Sequence, residues 1–302
     1  MFNYIIHQFE HYLLVERMVA TNTVESYTSD MEQFFNFISK KFPEKKLQDI
    51  TPDDVKMYIE FLRKRIRLTA SSASRKLSAL KTFLGWAKKA HGAPDFMDGV
   101  AFPKLGKVLP NHLPEEDIEL LLETATKDTT AVGMRNRMML TLMYVCGVRV
   151  SELVEMTISH IQFNDHIIRI LGKGSKERVV PMPLQIGQML QQYIEQIHPL
   201  LCGAQKQTDY LFPVLYAGKP RSMTRQSFWL ILKKIVAQSG IDAKVSPHVL
   251  RHSVATHLLK KGANLRLLQM ILGHSQLETV QVYTHVDMRY LRIMYDQKHP
   301  RA

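Results

Sequence analysis

The chain has 302 residues, 45% hydrophobic and 23% charged, a balance that fits an ordinary globular protein with room for two cores and excludes a disordered tail protein. Lys and Arg outnumber Asp and Glu by 40 to 28, and the formal net charge of +12 favours a polyanionic partner, either nucleic acid or an anionic membrane. No membrane insertion is expected, because the longest apolar stretch, Met138 to Val148, falls short of the ~20 residues that a span needs.

Residues 3–17 carry Ile5, Ile6, Phe9, Leu13 and Leu14 at helical spacing, and His and Glu interrupt them as they would not a secretory signal. Thr21 or Asn22 is placed to cap a second helix through Tyr27, Met31, Phe34, Phe35 and Ile38. Thr51, Pro52, Asp53 and Asp54 announce a third, with a cap, a proline in the first turn and acids at the positive end of the dipole. That helix ends in the basic run Arg63-Lys-Arg-Ile-Arg, and a fourth follows from Ala70 to Lys89. Arg63, Lys64, Arg65, Arg67, Arg75 and Lys76 bracket the turn between them with no acid in the run, and Thr69, Ser71, Ser72 and Ser74 add hydroxyls. A solvated helix face and a phosphate-binding face are equally supported by this patch alone. Arg63, Arg65, Arg75 and Lys76 are its candidate DNA contacts.

From His91 to Pro110 the chain turns to Gly and Pro without periodicity, which reads as a linker between an N-terminal domain, 1–90, and a C-terminal domain, 111–302. Such a linker would let the two embrace a rod-like partner. Leu113-Pro-Glu-Glu opens a helix, and a buried one follows from about Met134 to Tyr144, ending at Cys146-Gly147. Arg149 then stands at the start of a further helix, where the dipole does not favour positive charge; a task at an anion explains it better. Residues 167–180, with Gly172-Lys173-Gly174 at the centre, read as a β-hairpin with a basic tip. Its Gly-x-Gly joins two strands and opens no helix, so it is no dinucleotide fingerprint. Helices are expected over 184–198 and 222–239, and Arg225 and Gln226 near the start of the latter are candidate major-groove contacts. Cys146 and Cys202 make neither a disulfide framework nor a zinc pattern, and a reduced, cytoplasmic, metal-free protein is expected.

Chemistry concentrates between Ser246 and His285. Pro247 starts a helix that puts His248 and Arg251 on one face, with Val249, Leu250, Val254, Leu258 and Leu259 as its apolar stripe and Gly262 as its C-cap. A second helix, Leu265 to Leu272, stops at Gly273-His274, and Tyr283 lies in another short helical segment. Guanidinium groups bind the oxygens of a phosphodiester and offset transition-state charge. Tyrosine forms covalent intermediates, and histidine moves a proton near neutral pH. Each residue alone is more often a plain helix-face or core residue; their joint appearance gives the reading its weight.

The order Gly147-Val-Arg149-Val-Ser-Glu152-Leu, Gly172-Lys173-Gly, His248-Val-Leu-Arg251-His-Ser, Leu272-Gly-His274-Ser and Tyr283-Thr-His resembles the tyrosine site-specific recombinases, and within them the bacterial Xer recombinases. Met223-Thr-Arg-Gln-Ser-Phe-Trp and Ser246-Pro-His-Val-Leu-Arg-His look closest to the XerD branch. The resemblance implies a mainly α fold: a four-helix SAM-like core-binding bundle, then a mixed α+β catalytic domain with a small hairpin or sheet. It implies Tyr283 as nucleophile forming a 3′-phosphotyrosyl bond, Arg149 and Arg251 on the non-bridging oxygens, and Lys173 protonating the leaving 5′-oxygen. His248 would manage the tyrosine proton, His274 would hydrogen-bond the phosphate, and Glu152 would orient its neighbours. No cofactor is implied. The implied partners are double-stranded DNA with a dif-like site, an XerC-like recombinase in a heterotetramer linked by C-terminal segments, and an FtsK-type translocase, in resolving chromosome dimers at cell division. A phage or mobile-element integrase is the alternative within the chemistry, disfavoured by the lack of an arm-binding module. A non-catalytic DNA-binding accessory protein is the alternative outside it, and a type IB topoisomerase uses similar groups.

Overall fold

The computed structural model describes residues 2–102, 112–171, 177–205, 207–263, 268, 271 and 272. The chain divides into two compact units, Met1–Val108 and Leu109–Ala302.

The first unit is helical among the described residues. Helix α1 (Asn3–His11) runs on through a wide π turn, Tyr12–Glu16. In α2 (Thr21–Lys41), Thr21 is already helical and Ala20 takes the N-cap without a side-chain bond, a shift from the Thr21 or Asn22 cap expected. Helix α3 (Pro52–Lys64) has the start its sequence announces: the Thr51 N–H donates to Asp54 Oδ2 at 2.8 Å. In α4 (Ala70–His91), Thr69 Oγ1 accepts the Ser72 N–H at 3.2 Å, and Gly92 at φ +62° closes the far end. The apolar faces meet in an aromatic core in which Phe9 and Phe83 pack edge to face at 5.1 Å and Phe35 meets Phe83 at 5.3 Å.

This core extends past α4. Ala93 and Phe96 are buried in it, and Met97 and Val100 pack against it. The stretch assigned to a linker over 91–110 is therefore anchored to the first unit over its first ten residues or so. A fully buried phenylalanine, worth about 2 kcal/mol or more, outweighs the loop signal of the surrounding Gly and Pro. Residues 103–111 lie outside the described ones.

The second unit is built around α6 (Ala131–Cys146), buried at every position from Met138 to Cys146. That burial explains a stretch apolar on all sides rather than striped. Around it lie α5 (Glu115–Thr124), α7 (Val150–Val154), α8 (Leu184–Gln192), α9 (His198–Leu201), α10 (Arg225–Ser239) and α11 (Pro247–Lys260). The helix expected over 184–198 passes from α8 through a π turn, Tyr193–Ile197, into α9. Helix α10 starts at Arg225, capped by Thr224, rather than at Ser222. A small antiparallel sheet has the order β1 (Ile161–Gln162), β2 (Ile167–Leu171), β3 (Glu177–Pro181), and β4 (Val214–Tyr216) pairs with β5 (Lys219–Arg221). The fold is thus mainly α with a small antiparallel sheet, in keeping with the expected class. No described helix is long and apolar enough to cross a membrane.

Candidate active site

Three parts of the second unit put charged groups together: the break between α6 and α7, strand β3 and helix α11. Helix α6 ends at Gly147, whose φ of +58° suits glycine and whose missing Cβ would lie 3.0 Å from Leu272 Cδ2. Two residues on, Arg149 is extended and caps α7. Glu152, in the third helical position, accepts the Arg149 backbone N–H at 2.7 Å and Arg149 Nη1 at 2.7 Å. The carboxylate thereby both caps the helix and aims the guanidinium of a side chain that remains 40% exposed.

A second arginine grips the same carboxylate. Arg178 donates from Nη1 to Glu152 Oε1 at 2.7 Å and from Nη2 to Oε2 at 2.6 Å, and its Nε reaches the Ile271 carbonyl at 3.2 Å. Arg178 stands opposite Ile170 on β3, two residues from buried Val180. Arg178 lies within the 167–180 hairpin but outside the motifs that mark the other site residues. The alternation of a half-buried strand carried the signal: Arg178 falls on the Val180 face, where a charge must find partners.

Helix α11 contributes Arg251. Ser246 Oγ accepts the Val249 N–H at 3.2 Å, Pro247 occupies the first turn, and Leu250, Val254 and Leu258 bury the inner face. His257 is also buried there, its Nε2–H donating to the Leu113 carbonyl at 2.8 Å and its Nδ1 meeting Tyr144 Oη at 3.0 Å, whereas Leu259, assigned to the apolar stripe, is 45% exposed. Lys261, rather than the expected Gly262, is the C-cap, and Gly262 at φ +81° follows it. From this scaffold the Arg251 guanidinium donates to the carbonyls of Gly147 and Leu272. His248 lies exposed one turn earlier on the same helix.

The electrostatics of the cluster are unbalanced. Burial alone would raise the Glu152 carboxyl, but the paired hydrogen bonds and charge of Arg178, with the N–H and guanidinium of Arg149, hold it down at about 2. Arg251 is lowered to about 10, first by burial and then by repulsion from Arg149 and Arg178, with partial relief from Glu152. Among the described residues three guanidiniums face one carboxylate, an arrangement that suits an anion. Among the described residues no cluster of three or more His, Cys, Asp or Glu is placed to hold a metal ion. Arg149, Glu152 and Arg251 are therefore assembled at one place, with His248 on the same helix as Arg251. Lys173, His274 and Tyr283 lie outside the described residues.

Comparison with known proteins fits this arrangement. The Phage integrase family model matches residues 111–289, and the Phage integrase N-terminal SAM-like domain matches residues 6–91. The chain belongs to the phage integrase family of tyrosine recombinases. It is of the XerD type: tyrosine recombinase XerD of Proteus mirabilis is 38% identical over 99% of this chain and 93% of the relative. XerD of Listeria innocua is 35% identical over 99% and 100%. Among solved structures, the XerH site-specific recombinase bound to a palindromic difH substrate, a post-cleavage complex, shares the fold at TM-score 0.67 and 24% identity, covering 95% of this chain and 83% of that one. The Tn1549 transposon integrase in complex with a circular intermediate DNA does so at TM-score 0.69 and 17% identity, covering 94% and 97%. The protein is accordingly a DNA-binding enzyme of the class that cuts and rejoins DNA.

For a tyrosine recombinase, the basic patch of the first unit needs correction. Lys76 is 6% exposed, and its Nζ donates to Asp30 Oδ1 and Gln33 Oε1, both at 2.7 Å. It is an internal tie between α2 and α4, not a DNA contact. Arg75 donates to both oxygens of Asp30, at 2.5 and 2.9 Å, while half its side chain stays exposed. Lys64 pairs with Glu60 on its own helix. The run has no acid of its own, yet α2 and the body of α3 bring carboxylates to it. Arg63 and Arg65 are exposed beside the turn, and Arg225 and Gln226 are exposed in the first turn of α10.

Proposed function

We propose that this Xer-type recombinase cuts and rejoins double-stranded DNA at dif-like sites with an XerC-like partner, resolving chromosome dimers at cell division under an FtsK-type translocase. The single observation that carries the chemistry is the excess of guanidinium over carboxylate at Arg149, Arg178, Arg251 and Glu152, which suits a phosphodiester. In this reading Tyr283 attacks the scissile phosphorus while His248 takes its proton. The P–O5′ bond breaks, and Lys173 supplies the proton to the departing 5′-oxygen. Arg149, Arg251 and His274 bind the non-bridging oxygens, where charge builds up. Glu152 aims Arg149. Rejoining reverses each transfer, and the bond energy stays in the phosphotyrosine. Water is outcompeted only because the 5′-hydroxyl is held in place, which puts the burden on proximity. The XerD relatives support the Xer assignment over a mobile-element integrase.

A supercoiled plasmid with two directly repeated dif-like sites tests the proposal. The expected result is two separate circles when the protein and an XerC-like partner are both present. Resolution by the protein alone would remove the partner from the account. Relaxation of a plasmid carrying no site would point to a topoisomerase instead.

A further inference from the structure

Arg178 has no task in the mechanism above, yet it is among the most buried charges of the second unit, at 7% exposure. All three of its guanidinium nitrogens are committed: two to Glu152 and one to the Ile271 carbonyl. A guanidinium taken this far out of water is held by its partners, so its geometry is fixed. Three pieces of chain meet on it: β3 carries it, α7 presents Glu152, and Ile271 presents its carbonyl. The next carbonyl, that of Leu272, accepts from Arg251, and the carboxylate held by Arg178 also holds Arg149. Arg178 therefore touches the carboxylate that holds Arg149 and the carbonyl next to the one that accepts from Arg251.

We propose that Arg178 is a positioning residue for strand cleavage: it fixes Glu152, and through it Arg149, and ties the Ile271–Leu272 carbonyls beside Arg251 before DNA arrives. The proposal rests on the reading of Arg149 and Arg251 as phosphate ligands. Only arginine supplies the fork that meets both carboxylate oxygens while Nε reaches a third acceptor; a lysine ammonium on a flexible stem does not. Among the described residues, the charged groups around Glu152 are Arg149 on its own helix, Arg178 on β3 and Arg251 on α11. On the other helices packed against α7, Arg135 of α6 turns to the Pro213 carbonyl, while Arg137 of α6 and Arg225, Lys233 and Lys234 of α10 are exposed. Without Arg178, only the Arg149 N–H and guanidinium are left to oppose burial of the carboxyl. Glu152 then takes up a proton at a higher pH and releases Arg149.

The test uses the full chain and a suicide duplex carrying a dif-like site, nicked beside the cleavage point, so that each enzyme turns over once. Rates of covalent adduct formation are compared between pH 5 and 8 for wild type, Arg178→Met, Arg178→Lys, Glu152→Gln and Arg178→Met/Glu152→Gln, with duplex affinity measured alongside. Arg178→Met is expected to cleave roughly a hundredfold more slowly, the scale of a misplacement of about 1 Å, with affinity nearly kept. Its rate relative to wild type should fall further as the pH drops, and the added Glu152→Gln should abolish that further fall. Arg178→Lys should show the same trend more weakly, and it serves as the readout if the methionine variant does not fold. Variants that cleave at the wild-type rate, or slower by one constant factor at every pH, would overturn the proposal. An adduct formed by Tyr283→Phe would overturn instead the reading on which it rests.

Discussion

At the scale of single residues, the site is an arginine cluster in which, among the described residues, Arg149, Arg178 and Arg251 gather around Glu152. Arg149→Ala or Arg251→Ala is expected to slow adduct formation by roughly a hundredfold to a thousandfold, as losing one preorganised donor does. Duplex affinity, shared among many phosphate contacts, should change little. A drop in affinity matching the drop in rate would assign these arginines to binding alone. Glu152 gives a second expectation. Its folded-state carboxyl sits near 2 against an ordinary 4.5, so it stabilises the fold fully above about pH 5 and loses that contribution as the pH falls toward 2. Glu152→Gln should be less stable than wild type by about 3 kcal/mol at pH 7, with a difference in urea midpoint that narrows on acidification below pH 5. A difference that holds constant to pH 3 would contradict the ion-pair account. The sequence made Arg149, Glu152 and Arg251 legible because each stands in a dense motif at a helix start. Arg178 was hidden because its partners, Glu152 and Ile271, lie 26 and 93 residues away, and only strand alternation hinted at burial.

At the scale of elements, local signals were dependable where the physics is local. Thr51-Pro52-Asp53-Asp54 set the start of α3, and Gly92, Gly147 and Gly262 mark helix ends with positive φ. Thr51→Ala should cost about 1 kcal/mol in denaturant unfolding, a normal loss for a cap. Signals failed where a distant element decided the matter. Lys76 looked like one more cation in a basic turn, but Asp30, 46 residues earlier, takes it into the interior. Phe96 looked like part of a linker, but the aromatic core of the first unit claims it. Asp30→Ala leaves the Lys76 ammonium buried without its carboxylate and is expected to destabilise the protein by about 3 kcal/mol or more. Thermal or urea unfolding checks this, and a loss below about 1 kcal/mol would show that the Gln33 carbonyl suffices.

At the scale of the whole molecule, the positive charge excess and the family membership both concern DNA. Binding should weaken steeply with salt, and each exposed cation on phosphate should contribute about one unit to the slope of log affinity against log salt. Neutralising Arg63, Arg65 or Arg225 should each reduce that slope, whereas Lys76→Met, which alters an internal tie, should leave it unchanged. Gln226→Ala should relax sequence preference at one base-pair position rather than lower affinity for all sites. The central claim is that one tyrosine carries the broken strand, and peptide mapping of the adduct tests it most directly. Trypsin releases Tyr283 within Leu267–Arg289, a peptide with no other tyrosine. The suicide duplex is trapped on the wild-type protein, the complex is digested, and the DNA-linked peptide is sequenced by mass spectrometry. The account predicts a 3′-phosphate on Tyr283 and a free 5′-hydroxyl on the released strand. A linkage to any other residue, or to the 5′ end, would contradict it.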